Sequence, residues 1–145
     1  MIIQKKKDLR NGKIKYNYHK MKFIETPNAP SPAGHYSQAV EFNDLIFVSG
    51  QLPVNPETNE KVLGSIDDQT HQTLKNVKAI LEAAGSNLQN VIKTTVYISD
   101  IALWGSVDKI YASYFGSHKS ARAIVPTREL HHDFKIEIDI IAKKV

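Results

Sequence analysis

The narrowest constraint on the fold lies late in the chain, in residues 134–142, FKIEIDIIA. Successive side chains of an extended strand point to opposite faces, so Ile136, Ile138 and Ile140 share one face while Lys135, Glu137 and Asp139 share the other. Such a strand needs pairing partners and an apolar cover for its isoleucines. The rest of the chain supplies both. Residues 36–42 (YSQAVEF) and 45–49 (LIFVS) flank Asn43-Asp44, a polar pair suited to a two-residue hairpin turn. Residues 91–98 (VIKTTVYI) and 121–125 (ARAIV) are rich in β-branched residues and read as two further strands. A helix follows Ser65 or Asp67 as cap, with Ile66, Leu74, Val77, Ile80, Leu81 and Ala84 at helical spacing and Gly85 as its stop. A second follows Asp100, with Leu103, Val107, Ile110, Tyr111 and Tyr114 on one side and Gly116 at its end. Pro53, Asn55, Pro56, Asn59 and Gly64 make the stretch before the first helix a loop. The pattern predicts an α+β domain of ββαβαββ order: a single sheet with two helices packed on one face. The other face then needs a cover, and copies of the same chain are the economical source. Glu137 projects from that uncovered face and so toward a subunit boundary, where ligand clefts are common.

With 145 residues the chain can remove about two-thirds of its unfolded surface from water in one core. It has no cysteine, which excludes a disulfide framework, a thiolate zinc site and a cysteine nucleophile. The net charge of +4 is unevenly spread: residues 1–22 hold eight Lys and Arg against Asp8 alone, a surplus of +7, so the other 123 residues stand at −3. The basic character belongs to a tail and the body is mildly acidic. Residues 1–20 are therefore expected to form a basic, disordered or loosely attached extension, and residues 21–145 a single domain. Met21 opens a segment resembling a natural start. No apolar run of about 7–15 residues follows the lysines, as a secretory signal requires, and none reaches the roughly 18 needed to span a membrane. A mitochondrial transit peptide fits poorly, because the tail is Lys-rich and lacks Ser. The expected address is the cytoplasm.

Phosphate cradles of the GxGxxG or Walker type and the GxSxG elbow of serine hydrolases are absent from the sequence. The six histidines (His19, His35, His71, His118, His131, His132) lack the i, i+4 spacing of a helical zinc site; no metal is expected, and His131-His132 reads as a solvated, pH-sensitive loop. What remains is a set of polar residues in strand settings. Arg122, in SARAIV, carries a permanent charge that demands an anion, either a structural ion-pair partner or a bound carboxylate. Glu137 reads as a solvated strand charge or a site acid. Tyr36 reads as a packed aromatic or a ligand contact, and Ser49, before Gly50, as a turn residue or a pocket hydroxyl.

Placed together, TPNAPSPAGHYSQAV, LIFVSGQLPVNPET, TLKNVKAILEAAGSNLQNVIKTTVYISD, SARAIV and KIEIDIIA resemble the Rid (reactive intermediate deaminase) family, also called the YjgF family, over essentially all of residues 21–145. The resemblance implies a chorismate-mutase-like fold, a homotrimer with three sites between subunits, and no cofactor. It also implies hydrolysis of 2-imino acids and their enamine tautomers (2-aminoacrylate, 2-iminobutanoate, 2-iminopropanoate) to 2-keto acids and ammonia. By motif, Arg122 corresponds to the arginine that pairs with the substrate carboxylate, and Glu137 to the glutamate associated with the attacking water. Tyr36 and Ser49 match pocket-lining residues, and the backbone around Ile124 matches the segment whose carbonyl receives the substrate nitrogen. The chain departs from the family pattern at Gly34-His35-Tyr36 for Gly-Pro-Tyr, at Ser120-Ala121-Arg122-Ala123 for Pro-Ala-Arg-Ser, and at Leu130-His131-His132 for Leu-Pro. Asp108 stands where an asparagine is frequent, which places a carboxylate near a carboxylate site. These changes are expected to shift substrate preference or slow turnover. A non-catalytic trimer that binds 2-keto acids is the competing reading. RNA cleavage or translation inhibition is a further one, but the only basic stretch is the tail, so nucleic acid is not an expected partner.

Overall fold

Ile136, Ile138 and Ile140 are essentially sealed from solvent, and the sheet is built around the strand that carries them. The computed structural model describes residues 3–7, 14–18 and 21–145, with side chains from residue 21 onward. Its elements in chain order are β1 (Ile3–Lys7), β2 (Ile14–Tyr18), β3 (Lys22–Ile24), β4 (Ala39–Phe42), β5 (Leu45–Gln51), α1 (Ile66–Ala83), β6 (Val91–Ile98), α2 (Trp104–Phe115), β7 (Ala121–Pro126) and β8 (Ile136–Lys143). The main sheet has six strands in the order β3-β4-β5-β8-β6-β7. Its neighbours pair antiparallel except β6 and β7, which run parallel with α2 as their crossover.

The expected order holds from β4 to β8, and β3 adds one strand before it; at three residues it is too short to show a period. The turn between β4 and β5 uses Asn43 and Asp44 at φ +52° and +64°, the left-handed pair a two-residue hairpin requires. Ser65 caps α1: its hydroxyl accepts from Asp68 N–H at 3.1 Å, and the Asp68 carboxylate accepts from Ser65 N–H at 3.2 Å. Gly85, at φ +76°, ends the turn after α1. Asp100 caps a short 3₁₀ turn, Ile101–Leu103, that leads into α2. In the basic extension, read above as a disordered or loosely attached arm, β1 and β2 pair antiparallel as a two-stranded sheet of their own. The Asn11-Gly12 pair between them in sequence is a hairpin signal. At residues 1, 2, 8–13, 19 and 20 that expectation lies outside the described residues.

Leu74, Val77, Ile80 and Leu81 of α1 and Val107, Ile110 and Phe115 of α2 join Ile46, Val48, Val96, Ile98 and the β8 isoleucines in one core. Both helices thus cover the same face. The other face presents Phe47, Ser49, Thr95, Tyr97, Glu137, Asp139 and Ile141, every one of them half-buried or exposed. No helix among the described residues is long and apolar enough to cross a membrane.

Candidate functional site

Three buried amides shape the open face by fixing the loops around it. The Gln38 side chain accepts from Thr26 N–H at 2.7 Å and donates to the carbonyls of Thr26, Ala29 and Pro30 at 3.0 to 3.1 Å, pinning the segment ahead of β4. Asn76 of α1 donates to the carbonyls of Leu52 and Val54 at 3.0 and 2.9 Å, pinning the loop after β5. Gln69 of α1 accepts from Lys135 N–H at 2.8 Å, fixing the entry to β8. Between these loops lies a cleft of about 960 Å³ floored by β5 and β8, into which Tyr36, Ser49 and Glu137 all project.

A bulge sets the floor. Val48 pairs with Ile140 but Gln51 with Ile138, so β5 spends one extra residue across Ser49-Gly50. Bulges re-aim side chains beside sites. The Ser49 hydroxyl donates to Ser37 O at 2.7 Å, which ties β5 to the stretch leading into β4. Tyr36 is half exposed, and its hydroxyl accepts from Ala33 N–H at 3.3 Å. Gly50 leaves room for the acid: a Cβ there would collide with Glu137 Oε1 and come within 2.9 Å of the carboxyl carbon, so the carboxyl would have to move.

Burial pushes the Glu137 carboxyl above the ordinary carboxylate range, the negative charge of Asp139 pushes it further, and His131 opposes them. Asp139 accepts from the Tyr97 hydroxyl at 3.2 Å. Burial and the Asp139 charge raise the Tyr97 phenol in turn. At the cleft rim, Lys61 Nζ donates to His132 Nδ1 at 3.2 Å. Desolvation lowers the His132 pKa first, the Lys61 and His131 charges lower it further, and Asp133 opposes them. His132 and Asp133 both sit at positive φ, +58° and +60°, in a strained turn that swings both histidines to the cleft.

Arg122, Asp108 and Ile124 lie elsewhere. Arg122 pairs across β6 with Thr94, and Thr94 with Ile140 of β8, all on the helix-covered side. Glu137 pairs with Tyr97, three residues further along β6 and on the opposite side. The sheet therefore separates Arg122 from Glu137, and one protomer cannot bring them to a common substrate. Arg122 Nη2 instead meets Asp108 Oδ1 of α2 at 2.6 Å, and its guanidinium lies 4.7 Å over the Tyr111 ring. Of the two readings Arg122 carried, the ion pair is present. Ile124 is half-buried against the core. It belongs to β7, the sheet edge, where half of the backbone groups face away from the only paired neighbour.

Gly50, Asp139, Lys61 and the cleft role of His131 and His132 escaped sequence reasoning. Asp139 was findable, since it lies two residues from Glu137 on the same strand face. Lys61 and His132 are 71 positions apart in sequence and carry no joint signal.

The family model described as endoribonuclease L-PSP matches residues 26–144. A RutC family protein of Pyrococcus horikoshii is 50% identical over 121 residues, covering 83% of this chain and 96% of that one. The 2-iminobutanoate/2-iminopropanoate deaminase of Escherichia coli K12 is 43% identical over 124 residues, again 83% of this chain and 96% of its own. The solved structure of E. coli TdcF with bound serine superimposes with a TM-score of 0.81 at 38% identity, covering 86% of this chain and 99% of that chain.

Proposed function

Because the chain belongs to the endoribonuclease L-PSP family, the group also known as Rid or YjgF, we propose that it is a cofactor-free hydrolase that deaminates 2-imino acids, with sites shared between subunits of a homotrimer. The observation that carries the reading is Glu137: a half-buried carboxyl with a raised pKa, in an open-face cleft beside Tyr36 and Ser49, in a chain 43% identical to a protein named as an imine deaminase.

An imine adds water with little help, so the protein need only hold substrate and water in line and favour the polar addition intermediate. Glu137 holds a water in the cleft and takes one of its protons as the oxygen bonds to the imine carbon. Protonated Glu137 hands that proton to the imine nitrogen, which leaves a carbinolamine with an amino group and a new hydroxyl on one carbon. The hydroxyl proton then passes by way of the Glu137 carboxylate to the amino nitrogen as the C–N bond breaks and the carbonyl forms, releasing ammonia and the 2-keto acid. A carboxyl whose pKa is raised above the ordinary carboxylate range is better suited to returning the proton it takes. Arg122 of an adjoining subunit holds the substrate carboxylate, and the edge backbone near Ile124 receives the substrate nitrogen. The Arg122–Glu137 separation within a protomer supports a shared site, because only a second copy can unite the two.

The test generates 2-iminobutanoate with a dehydratase, traps it with semicarbazide, and follows trap yield with added protein. Wild type is expected to lower the yield, and Arg122→Ala to lose this effect about a hundredfold. Unchanged yield with wild type sinks the enzyme reading. The pairing of Arg122 with Asp108 favours a second reading, a 2-keto acid-binding trimer without turnover; its mark is 2-ketobutyrate binding in calorimetry with no imine loss. RNA is disfavoured as a partner by the net −3 of residues 23–145 and by the Glu137 and Asp139 carboxylates in the cleft.

A further inference from the structure

Arg122 is held from two sides, by the Tyr111 ring and by Asp108, before any ligand arrives. Its guanidinium rests on Tyr111, whose ring stacks on Phe115 at 4.0 Å and whose hydroxyl lies 2.9 Å from both Thr94 and Ser120. That hydroxyl cluster ties the Tyr111 shelf to β6 and to the residue preceding β7, so the shelf is fixed relative to the strand bearing Arg122. Asp108 lies three residues before Tyr111, one turn away on the same face of α2, and reaches Nη2 with a single oxygen. Nη2 has two hydrogens, one belonging to the end-on edge shared with Nη1 and the other to the side edge shared with Nε. A one-oxygen contact occupies one of these and leaves the other edge able to take a carboxylate through two parallel bonds. The pair is partly exposed, 23% for Arg122 and 38% for Asp108, so a ligand can reach it.

We infer that Asp108 is a positioning residue that presets the Arg122 fork and at the same time cancels its charge, making this a deliberately weak carboxylate site. The inference rests on the proposed role of Arg122 as the carboxylate anchor. The fork is aimed in advance, so little ordering remains for binding to impose. The incoming anion nevertheless meets a neutral pair and a nearby like charge instead of a free cation. Such a site releases a carboxylate product readily and penalises ligands that bring a second negative charge close to Asp108. Asparagine at the position keeps an oxygen to aim the fork and removes the charge. Alanine removes both.

The experiment titrates ¹⁵N-labelled wild type, Asp108→Asn, Asp108→Ala and Arg122→Ala with 2-ketobutyrate, following the Arg122 Nε–H resonance where present and backbone shifts in β7 in all four. Imine hydrolysis is measured separately. Asp108→Asn is expected to bind 2-ketobutyrate about five- to twentyfold more tightly than wild type, since one unit charge a few ångströms away is removed at a part-exposed site. Its dissociation is expected to slow in proportion. Asp108→Ala is expected to gain less than Asp108→Asn and to lose kcat, because the fork is no longer aimed; a purely structural role would move both variants' melting temperatures and leave the order of their affinities unaffected. Asp108→Asn binding no tighter than wild type, or Asp108→Ala surpassing it, overturns the inference. If wild type shows no imine hydrolysis while Asp108→Asn still tightens 2-ketobutyrate binding, the enzymatic reading fails and the Asp108 assignment stands.

Discussion

The two faces of the sheet are made from the same strands, yet they are put to opposite uses. On the covered face, Ile46, Val96, Ile98, Ile136 and Ile138 are fully buried and carry the core. On the open face their immediate neighbours Phe47, Tyr97 and Glu137 stay reachable. Alternation along one strand therefore separates stability from chemistry by a single residue: Ile138 packs, while Glu137 and Asp139 on either side of it charge the cleft. Arg122 is the exception, a cation on the covered side. It is tolerated there because β7 is an edge strand and because Asp108 and the Tyr111 ring receive its charge. The difference teaches that the sheet splits the residue pair of the proposed reaction, so that reaction requires a second copy to reunite it.

Mixing subunits breaks or sharpens that comparison most strongly. Arg122→Ala and Glu137→Gln are each expected to reduce imine hydrolysis about a hundredfold as homogeneous proteins. Refolded together in equal amounts, they form some interfaces where a Glu137→Gln subunit supplies Arg122 and an Arg122→Ala subunit supplies Glu137. Random assembly makes these about a quarter of all sites. Activity is expected to recover to about a quarter of wild type, read by the trapping assay after size-exclusion chromatography. A mixture no better than its components would mean that one protomer completes a site alone, against the strand register.

A smaller effect is expected from Gly50→Ala, which acts on the open face only. The backbone at Gly50 is outside the left-handed region, so the added methyl meets no conformational penalty of its own, but it collides with the Glu137 carboxyl. That carboxyl is the end of a flexible side chain and can swing away. Folding is expected to stay near wild type in urea titrations while kcat falls about tenfold. A stability loss as large as the activity loss would show that the two faces are coupled through the bulge.

Much of this arrangement is written in local pattern, and the missing part is written nowhere local. The isoleucine alternation of β8, the Asn43-Asp44 turn and the Gly85 stop follow from strand periodicity and left-handed backbone, both properties of neighbouring residues. Gln38, Gln69 and Asn76 carry no burial signal in sequence, because hydropathy registers the side chain alone. Their burial depends on backbone groups that arrive from loops elsewhere, in three of the contacts more than 20 positions away. The bulge at Ser49-Gly50 appears only against β8. Arg122 and Glu137 stand out in the sequence as polar residues in strands, but their opposite placement needed the register of β6 against both β7 and β8. Asp108 looked like a repelling charge in sequence; its partner is Arg122 itself.

The smallest expected effect is a pH dependence confined to the open face. Glu137 has a folded pKa above its unfolded value near 4.5, raised by burial and by Asp139. Between the unfolded value and the raised folded value, the folded state therefore binds more protons than the unfolded chain. Stability contributed by this group must then fall as pH rises through that window and level off above it, the reverse of a salt-bridged carboxylate. Urea midpoints of wild type are expected to decline modestly from pH 4.5 upward by this contribution, and Glu137→Gln to remove it, so that the difference between the two proteins grows with pH and then stays constant. Because the Asp139 charge adds to the shift, Asp139→Asn is expected to narrow the window without closing it, burial being the larger cause. Parallel curves for wild type and Glu137→Gln would mean that the cleft leaves Glu137 as well solvated as the unfolded chain does, and the open face would lose the property that suits its acid to moving a proton at neutral pH.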